Sequence, residues 1–384
     1  MASFLLAIIY ISFVSLGLPD ALLGAAWPIM QMDLNVPVSY AGGISLIIAI
    51  GTVISSLQSD RLTKWLGTGK IMVISVAMTA LAIYGFSVST SFWQLCLWAI
   101  PYGLGAGSVD ASLNNYVAIH YASRHMSWLH CMWGLGASIG PYIMGAALTG
   151  GLSWNRGYSM IAVLQVILTV VLFFSMPLWK KQNSPGQTDA PKAPLTLKQI
   201  LAIPGAKEVM LAFFCYCALE QTAILWGSSY LVVHDGMQEE RAASLASLYL
   251  IGLTLGRGLN GFLTYKMNDT NLIRLGQGLI ALSIVIMLLP LGPIASFIGL
   301  MLNGLGGAPV YPCIIHSTPA HFGEENSQAL IGVQMASAYV GICVMPPLFG
   351  IIARYLTASL LPWYMGAILV VMIVMCEKLN RICK

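Results

Sequence analysis

Residues 158–178 read YSMIAVLQVILTVVLFFSMPL, and this run contains no charged side chain. An α-helix needs about 20 predominantly apolar residues to cross the hydrocarbon core of a bilayer, so the run predicts a transmembrane helix. The whole chain has the same character, because 58% of its 384 residues are hydrophobic and 8% are charged, against about 25% charged residues in a soluble protein. Its mean hydropathy is +0.80. Too little polar surface remains to cover a water-facing exterior, which excludes a soluble globular protein.

Apolar runs of spanning length recur on both sides of this stretch. At about 32 residues for each helix with its connection, a chain of 384 residues accommodates about twelve helices. Six runs precede residue 179, at 4–30, 40–57, 71–88, 92–119, 128–152 and 158–178, and six follow residue 205, at 209–233, 242–263, 272–289, 294–315, 329–355 and 360–376. The predicted fold class is therefore an all-α integral membrane protein with twelve transmembrane helices.

A polar stretch at 179–205 separates the two sets of six runs. It contains adjacent lysines and also Pro185, Pro191 and Pro194, a composition typical of a solvated, partly extended linker. We therefore expect three parts: an N-terminal six-helix bundle at 1–178, a cytoplasmic linker at 179–205 and a C-terminal six-helix bundle at 206–384.

The lysines and arginines near the span ends predict the orientation of the chain. If the N-terminus is cytoplasmic, nearly all of them lie inside, and the outer side carries only Arg156, Arg241 and Arg354. Cytoplasmic loops normally carry this excess, so we expect a multi-pass protein of the cell inner (plasma) membrane, monomeric, with both termini cytoplasmic. The first apolar run lacks a basic leader and a clear cleavage site, and we interpret it as a retained span rather than a signal peptide.

Several short patterns occur in both halves. Residues 103–107, GLGAG, recur as residues 304–308, GLGGA, and Gly140-Pro141 corresponds to Pro346-Pro347. Small residues allow helix backbones to approach closely, and proline permits bending. The patterns predict two pseudo-symmetric bundles, packed either statically or so that the bundles can rock.

Five ionisable side chains lie well inside the predicted spans: Asp20, Asp110, His130, Glu220 and Arg257. A charge at the centre of a spanning helix costs at least about 2.5 kcal/mol, so it normally faces the bundle interior and marks a transport or proton pathway. A carboxyl group there can bind and release a proton as its access to water changes, which makes the three acids candidate proton-coupling residues. A structural ion pair is the alternative for each acid, and for Arg257 we favour helix packing or a gate.

Helical spacing gives these residues polar and aromatic neighbours. Asp110 and Asn114 are four residues apart, and one face of the first helix carries both Asp20 and Trp27. Carboxylates, amides, imidazole and indole together suit a polyhydroxylated ligand such as a sugar. The candidate substrate-binding residues are Asp20, Trp27, Asp110, Asn114, His130 and Trp133 in the first half, and Glu220, Gln221, Trp226, Tyr230, Asn303, Tyr311 and Gln334 in the second. The tryptophans could instead belong to interfacial belts, and Asn303 and Gln334 could be interhelical hydrogen-bonding residues.

The arrangement resembles the major facilitator superfamily over essentially the whole chain. Residues 59–67, SDRLTKWLG, are similar to the cytoplasmic loop between helices 2 and 3 of that superfamily. The resemblance implies that Asp60 and Arg61 form a latch between the halves, and a plain positively charged inner loop is the alternative.

Within the superfamily the chain looks most similar to the fucose permease group of proton-coupled sugar symporters. The likeness rests on Pro19-Asp20 in helix 1, on GLG at 103–105 followed by Asp110 and Asn114, and on a glycine-rich segment leading to Tyr311-Pro312. Asp110 replaces a glutamate of that group and His130 a glutamine. The resemblance implies proton symport of a sugar, with Asp20 and Asp110 as the coupling and substrate-binding acids.

The predicted function is secondary active transport of a sugar-like small molecule by alternating access. Two alternatives are a proton-coupled exporter of drugs or metabolites and, more remotely, a membrane sensor that does not transport. We expect no enzyme, since the sequence has no His-Glu-x-x-His, no Gly-x-Ser-x-Gly and no phosphate-binding loop. We also expect no cofactor, no metal site and no nucleic-acid partner, because the net charge is only +4 and most of the cysteines lie in apolar runs.

Overall fold

A computed structural model describes residues 2–179, 194–238, 241, 242, 245 and 248–383. Every regular element in these ranges is a helix, so the predicted all-α fold is confirmed. The helices are α1 (Ala2–Gly17), α2 (Leu22–Asp33), α3 (Tyr40–Leu66), α4 (Thr68–Val88), α5 (Phe92–His120), α6 (Ser123–Thr149), α7 (Trp154–Trp179), α8 (Leu197–Ala202), α9 (Ala206–Asp235), α10 (Leu248–Leu263), α11 (Asp269–Leu288), α12 (Pro293–Gly307), α13 (Val310–Phe322), α14 (Glu324–Tyr355) and α15 (Leu361–Ile382), with a 3₁₀ turn at Ala358–Leu360.

Ten stretches of the described residues are long and apolar enough to cross a membrane. Two of them combine consecutive helices: Phe4–Asp33 contains α1 and α2, and Pro293–Phe322 contains α12 and α13. The helices α5 and α10 lie at two further positions where the sequence predicts spans. The described part of α10 covers 16 residues, and α5 carries several glycines, serines and amides that lower its hydropathy.

The first and tenth predicted spans are each interrupted by a short turn. Residues 18–21 separate α1 from α2, and residues 308 and 309 separate α12 from α13. A proline lies in each turn, at Pro19 and Pro309, and proline cannot donate the backbone hydrogen bond that would continue the helix. The first turn places Asp20 outside regular helix.

The duplicated glycine motif packs the same way in both halves of the sequence. A Cβ atom on Gly103 would lie 2.2 Å from the carbonyl oxygen of Ile48 in α3, and one on Gly304 would lie 2.1 Å from the carbonyl oxygen of Tyr249 in α10. Glycine allows both backbones to approach this closely. Helix α5 thus packs on α3 as α12 packs on α10, a shared arrangement that fits the predicted internal repeat.

The chain forms two compact units. Unit 1 contains Met1–Tyr116 and Met132–Leu195, and unit 2 contains Val117–Cys131 and Thr196–Lys384. The sequence-based bundles at 1–178 and 206–384 differ from these units mainly at 117–131, which packs with unit 2. Within that unit the Asn260 Nδ2 atom donates to Ser127 Oγ at 2.7 Å, and the Trp128 Nε1 atom donates to the carbonyl of Gly258 at 3.3 Å.

Most of the predicted linker, residues 180–193, lies outside the described residues. Its described C-terminal part contains the short helix α8. Thr196 caps this helix: its hydroxyl accepts a hydrogen bond from the Gln199 backbone N–H, and the Gln199 side chain accepts one from the Thr196 N–H. This reciprocal capping box explains why a short helix begins here.

Replacing Gly103 with alanine should destabilise unit 1, because the new methyl group collides with backbone rather than with a movable side chain. Overpacking of this kind costs about 1–3 kcal/mol. We expect a lower melting temperature for Gly103→Ala and for the equivalent Gly304→Ala in a thermal unfolding assay of the purified protein. Gly145→Ala is the control, because a Cβ there has no heavy atom within 4 Å. Equal melting temperatures for Gly103→Ala and this control would contradict the packing described here.

Candidate functional site

The carboxylate of Asp20 is held by side chains from two other helices. Its Oδ1 atom accepts a hydrogen bond from the Tyr102 hydroxyl of α5 at 3.0 Å, and its Oδ2 atom accepts one from the Trp133 indole nitrogen of α6 at 2.8 Å. Asp20 itself is exposed and Trp133 is half-buried. The turn between α1 and α2 thus presents a carboxylate that is fixed in position and still accessible.

A second acid, Asp110, lies on α5 and is 8% exposed. The side-chain nitrogen of Asn114, one turn later, donates to Asp110 Oδ1 at 2.7 Å and to the Asp110 carbonyl at 3.0 Å. The predicted pairing at four-residue spacing is therefore present. Asp110 also lies near enough to Asp20 to interact with it electrostatically. We call these residues, Asp20, Tyr102, Asp110, Asn114 and Trp133, the Asp20–Asp110 site.

The acids in the Asp20–Asp110 site have capacity for further hydrogen bonds. A carboxylate offers about four lone-pair positions, and the Tyr102 and Trp133 donors use two of those on Asp20. The remaining lone-pair positions can accept a hydrogen bond from a ligand hydroxyl or can bind a proton. The half-buried Trp133 ring adds an apolar surface next to this acceptor.

Glu220 in unit 2 forms a buried ion pair. The Arg257 Nη2 atom lies 3.3 Å from Glu220 Oε2, and the Arg257 and Glu220 side chains are 3% and 16% exposed. The Tyr216 hydroxyl donates to the same carboxylate oxygen. Because each charge compensates the other, this geometry matches the structural ion pair that the sequence left open for Glu220. Arg257 thereby joins α10 to α9.

His130 and Trp133 have different surroundings, although both lie on α6. Trp133 belongs to unit 1 and binds Asp20, whereas His130 belongs to unit 2 and is 4% exposed. The His130 ring lies 4.4 Å from the Tyr311 ring, which also packs 4.6 Å from the Phe213 ring. The Tyr311 hydroxyl donates to Met335 Sδ at 3.2 Å. His130 and Tyr311 therefore belong to an aromatic cluster of unit 2.

Most of the other predicted binding residues join helices through hydrogen bonds. Two tryptophan side chains bind backbone carbonyls: Trp27, which is 5% exposed, binds Val38 at 2.8 Å, and Trp226 binds Pro346 at 2.9 Å. Three fully buried polar side chains also bind across helices: Tyr230 to the Met287 carbonyl at 3.0 Å, Asn303 to Ser283 Oγ at 2.9 Å, and Gln334 to Thr318 Oγ1 at 3.1 Å. Gln221 is half-buried beside Glu220. We leave these residues out of the Asp20–Asp110 site.

The predicted latch residues differ in environment. Asp60 is 4% exposed, and its Oδ2 atom accepts from Lys64 Nζ at 2.9 Å and from the Leu195 backbone N–H at 3.3 Å. It therefore joins the end of α3 to the chain before α8 within unit 1. Arg61 is exposed.

One polar cluster was not found by the sequence analysis. Asp269, the first residue of α11, accepts from Ser123 Oγ at 2.5 Å and lies 2.6 Å from His316 Nδ1, while His316 Nε2 lies 3.2 Å from the Tyr121 carbonyl. Both ring nitrogens of His316 face acceptors, which is the geometry of a protonated imidazole. Asn268-Asp269 resembles an ordinary helix start, and His316 falls one residue beyond the predicted span at 294–315. The sequence pattern therefore does not mark either as a functional residue.

Breaking the buried Glu220–Arg257 pair should destabilise unit 2 strongly. Removing one partner of such a pair costs about 3–5 kcal/mol, because the other charge stays buried without compensation. We expect large decreases in thermal stability for Arg257→Gln and Glu220→Gln, and a smaller decrease for the double variant.

The exposed pair between Arg274 and Glu377 supplies the control, since its side chains are 51% and 35% exposed. Surface ion pairs contribute little, so Arg274→Gln should change the melting temperature only slightly. Additive losses in the Glu220/Arg257 double variant, in a double-mutant cycle followed by thermal unfolding, would contradict the coupling described here.

Comparison with known proteins shows to which family the chain belongs. Residues 9–299 and 209–379 match the sequence model of the Major Facilitator Superfamily. The chain is 22% identical over 279 residues to Bypass of stop codon protein 6 of Saccharomyces cerevisiae, covering 67% of this chain and 56% of the yeast protein. It is 20% identical over 312 residues to the glucose/mannose transporter GlcP of Bacillus subtilis, covering 79% of this chain and 77% of GlcP.

The crystal structure of the Major Facilitator Superfamily transporter FucP in the outward conformation has a similar fold. It superposes with a TM-score of 0.77 at 16% identity, covering 96% of this chain and 98% of FucP. The chain spans little more than half of the yeast relative and most of GlcP and FucP. Since the family match covers well over half of the sequence, the chain belongs to the Major Facilitator Superfamily.

Proposed function

We propose that this protein is a proton-coupled symporter of a sugar or a similar small polar metabolite, and that the Asp20–Asp110 site binds both proton and substrate. The observation that carries the proposal is the Asp20 carboxylate, which is accessible yet held by donors from α5 and α6. Membrane proteins rarely keep a carboxylate in a span without a functional reason. GlcP, one of several relatives named as sugar transporters, supports the substrate class.

Two neighbouring acids link proton and substrate binding in this proposal. Two neighbouring carboxylates repel one another, and a proton on either removes that repulsion. Asp20 and Asp110 lie near enough for such an interaction. With one acid protonated, the site offers both a hydroxyl donor and carboxylate acceptors, which is the combination that a polyhydroxylated ligand requires. Release of the proton restores the repulsion and weakens ligand binding.

The side chains around the acids set the geometry of binding. Tyr102 and Trp133 hold the Asp20 carboxylate, and Asn114 holds that of Asp110. The Trp133 indole face can cover the C–H surface of a sugar ring. Glu220 has its own counter-ion in Arg257, so we assign it to the stability of unit 2 and the transported proton to Asp20 or Asp110.

Neutralising the acids should abolish coupled accumulation. In proteoliposomes with an imposed proton gradient, Asp20→Asn and Asp110→Asn should each lose gradient-driven sugar uptake by at least about tenfold, which corresponds to about 1.4 kcal/mol. The sugar is chosen by a thermal-shift screen of the purified wild-type protein. A pH electrode outside the vesicles should record alkalinisation on sugar addition to wild-type protein but not to Asp20→Asn or Asp110→Asn.

Asp33→Asn is the matched control, because Asp33 is also a unit 1 acid but bonds the Trp154 indole at 2.9 Å and lies outside the site. It should retain uptake. If Asp20→Asn and Asp110→Asn both accumulate sugar like the wild type, the assignment of the acids is wrong. If cells that express the protein contain less of the sugar than cells that do not, the protein is an exporter.

Removing one donor tests the positioning role of Trp133. Trp133→Phe keeps an aromatic ring at this position but removes the N–H that binds Asp20. We expect sugar affinity to fall by about three- to tenfold, the equivalent of one typical hydrogen bond of about 1 kcal/mol, and tryptophan fluorescence to lose its response to sugar. Unchanged affinity would remove Trp133 from the site.

A further inference from the structure

Unit 1 carries a groove of about 940 Å³ between α3 and α4, with α5 as its floor. The lining positions follow helical spacing. Ile54, Gln58, Arg61 and Trp65 lie along one face of α3, and Ile74 and Met78 lie on the facing side of α4. The groove therefore runs along the helices and has one end near the C-terminus of α3, at Leu66.

The length of this groove matches one leaflet of a bilayer. From Ile54 to Trp65 the helix rises about 16 Å at 1.5 Å for each residue. Half of a hydrocarbon core of about 30 Å is about 15 Å. A single phospholipid acyl chain therefore fits the apolar part of the groove from its inner end to the membrane surface.

At the inner end of the groove, near Ile54, the polar groups have hydrogen-bond partners in the protein. The hydroxyls of Ser55 and Ser108 bond to each other, and Ser55 Oγ donates to the Leu104 carbonyl. Both serines are buried. They need no polar ligand, so the accessible wall at this depth consists of side chains such as Ile54 and Ile74, which are 51% and 46% exposed.

The outer end of the groove, near Leu66, is lined by charged side chains and not by apolar ones alone. Lys64 is paired with Asp60 at 2.9 Å, whereas Arg61 is exposed and has no acidic partner among the residues that the structure describes. Trp65, next to Lys64, is 79% exposed. An exposed tryptophan beside cations is typical of the membrane–water interface, and an uncompensated guanidinium binds phosphate with bidentate geometry.

We propose that this groove is a binding site for an anionic phospholipid. One acyl chain lies along α3 and α4, and the headgroup phosphate pairs with Arg61 beside the Trp65 ring. Charge complementarity selects an anionic lipid over a zwitterionic one, because Arg61 is the unpaired charge at the headgroup end. Basic pockets between spanning helices bind anionic headgroups in this way. The site is separate from the Asp20–Asp110 site and does not depend on which substrate is transported.

Lipid retention measured by native mass spectrometry tests the proposal. The full-length protein is reconstituted into nanodiscs of equal parts phosphatidylglycerol and phosphatidylcholine, released, and examined for bound lipid. Wild-type protein should retain phosphatidylglycerol in preference to phosphatidylcholine. Arg61→Gln should reduce that preference about fivefold, the effect of about 1 kcal/mol for one cation near a membrane surface.

Arg381→Gln is the matched control, since Arg381 is an exposed arginine on α15 that does not line the groove. It should retain the preference of the wild type. Ile74→Trp, which fills the groove without removing a charge, should lose bound lipid of both kinds while its melting temperature reports that it is folded. Equal retention of the two lipids by wild-type protein would overturn the proposal. Equal preference in Arg61→Gln and wild-type protein would do so too.

Discussion

The constraint that governs this structure is that hydrocarbon cannot satisfy a backbone hydrogen bond. Every spanning segment must therefore be helical, and a break within a span is tolerated only where protein or water covers it. The turn at residues 18–21 is such a break. It places the Asp20 carboxylate where Tyr102 and Trp133 donate to it, so the turn that interrupts the helix also creates the polar centre of unit 1.

Close helix packing keeps the donors and acceptors of this centre in position. The glycines of α5 bring its backbone against α3, which fixes the register of Tyr102, Asp110 and Asn114 along one helix. Unit 2 uses the equivalent glycine packing of α12 on α10. There, however, the buried acid is paired with Arg257. The two halves of the sequence thus share a packing pattern, while we assign their buried charges different roles.

Hydropathy and helical spacing predicted the all-helical membrane fold and the Asp110–Asn114 pair, because both depend on local sequence. Contacts between helices that are far apart in the sequence cannot be predicted from local sequence in the same way. Tyr102 and Tyr216 look like ordinary aromatic residues until α5 and α9 place their hydroxyls on Asp20 and Glu220. Trp27 and Tyr230, which resemble cavity aromatics in the sequence, bond to backbone carbonyls in packed regions, and no spacing rule distinguishes these two outcomes.

The central claim is that one pair of acids binds both the proton and the sugar. Proton exchange during ligand binding to the purified protein tests it most directly, by titrating the sugar in buffers that differ in ionisation enthalpy. Sugar binding should take up protons when the starting pH leaves both Asp20 and Asp110 ionised, and the uptake should disappear in the Asp20→Asn/Asp110→Asn double variant. Sugar binding with the same heat in every buffer, at every pH tested, would contradict it.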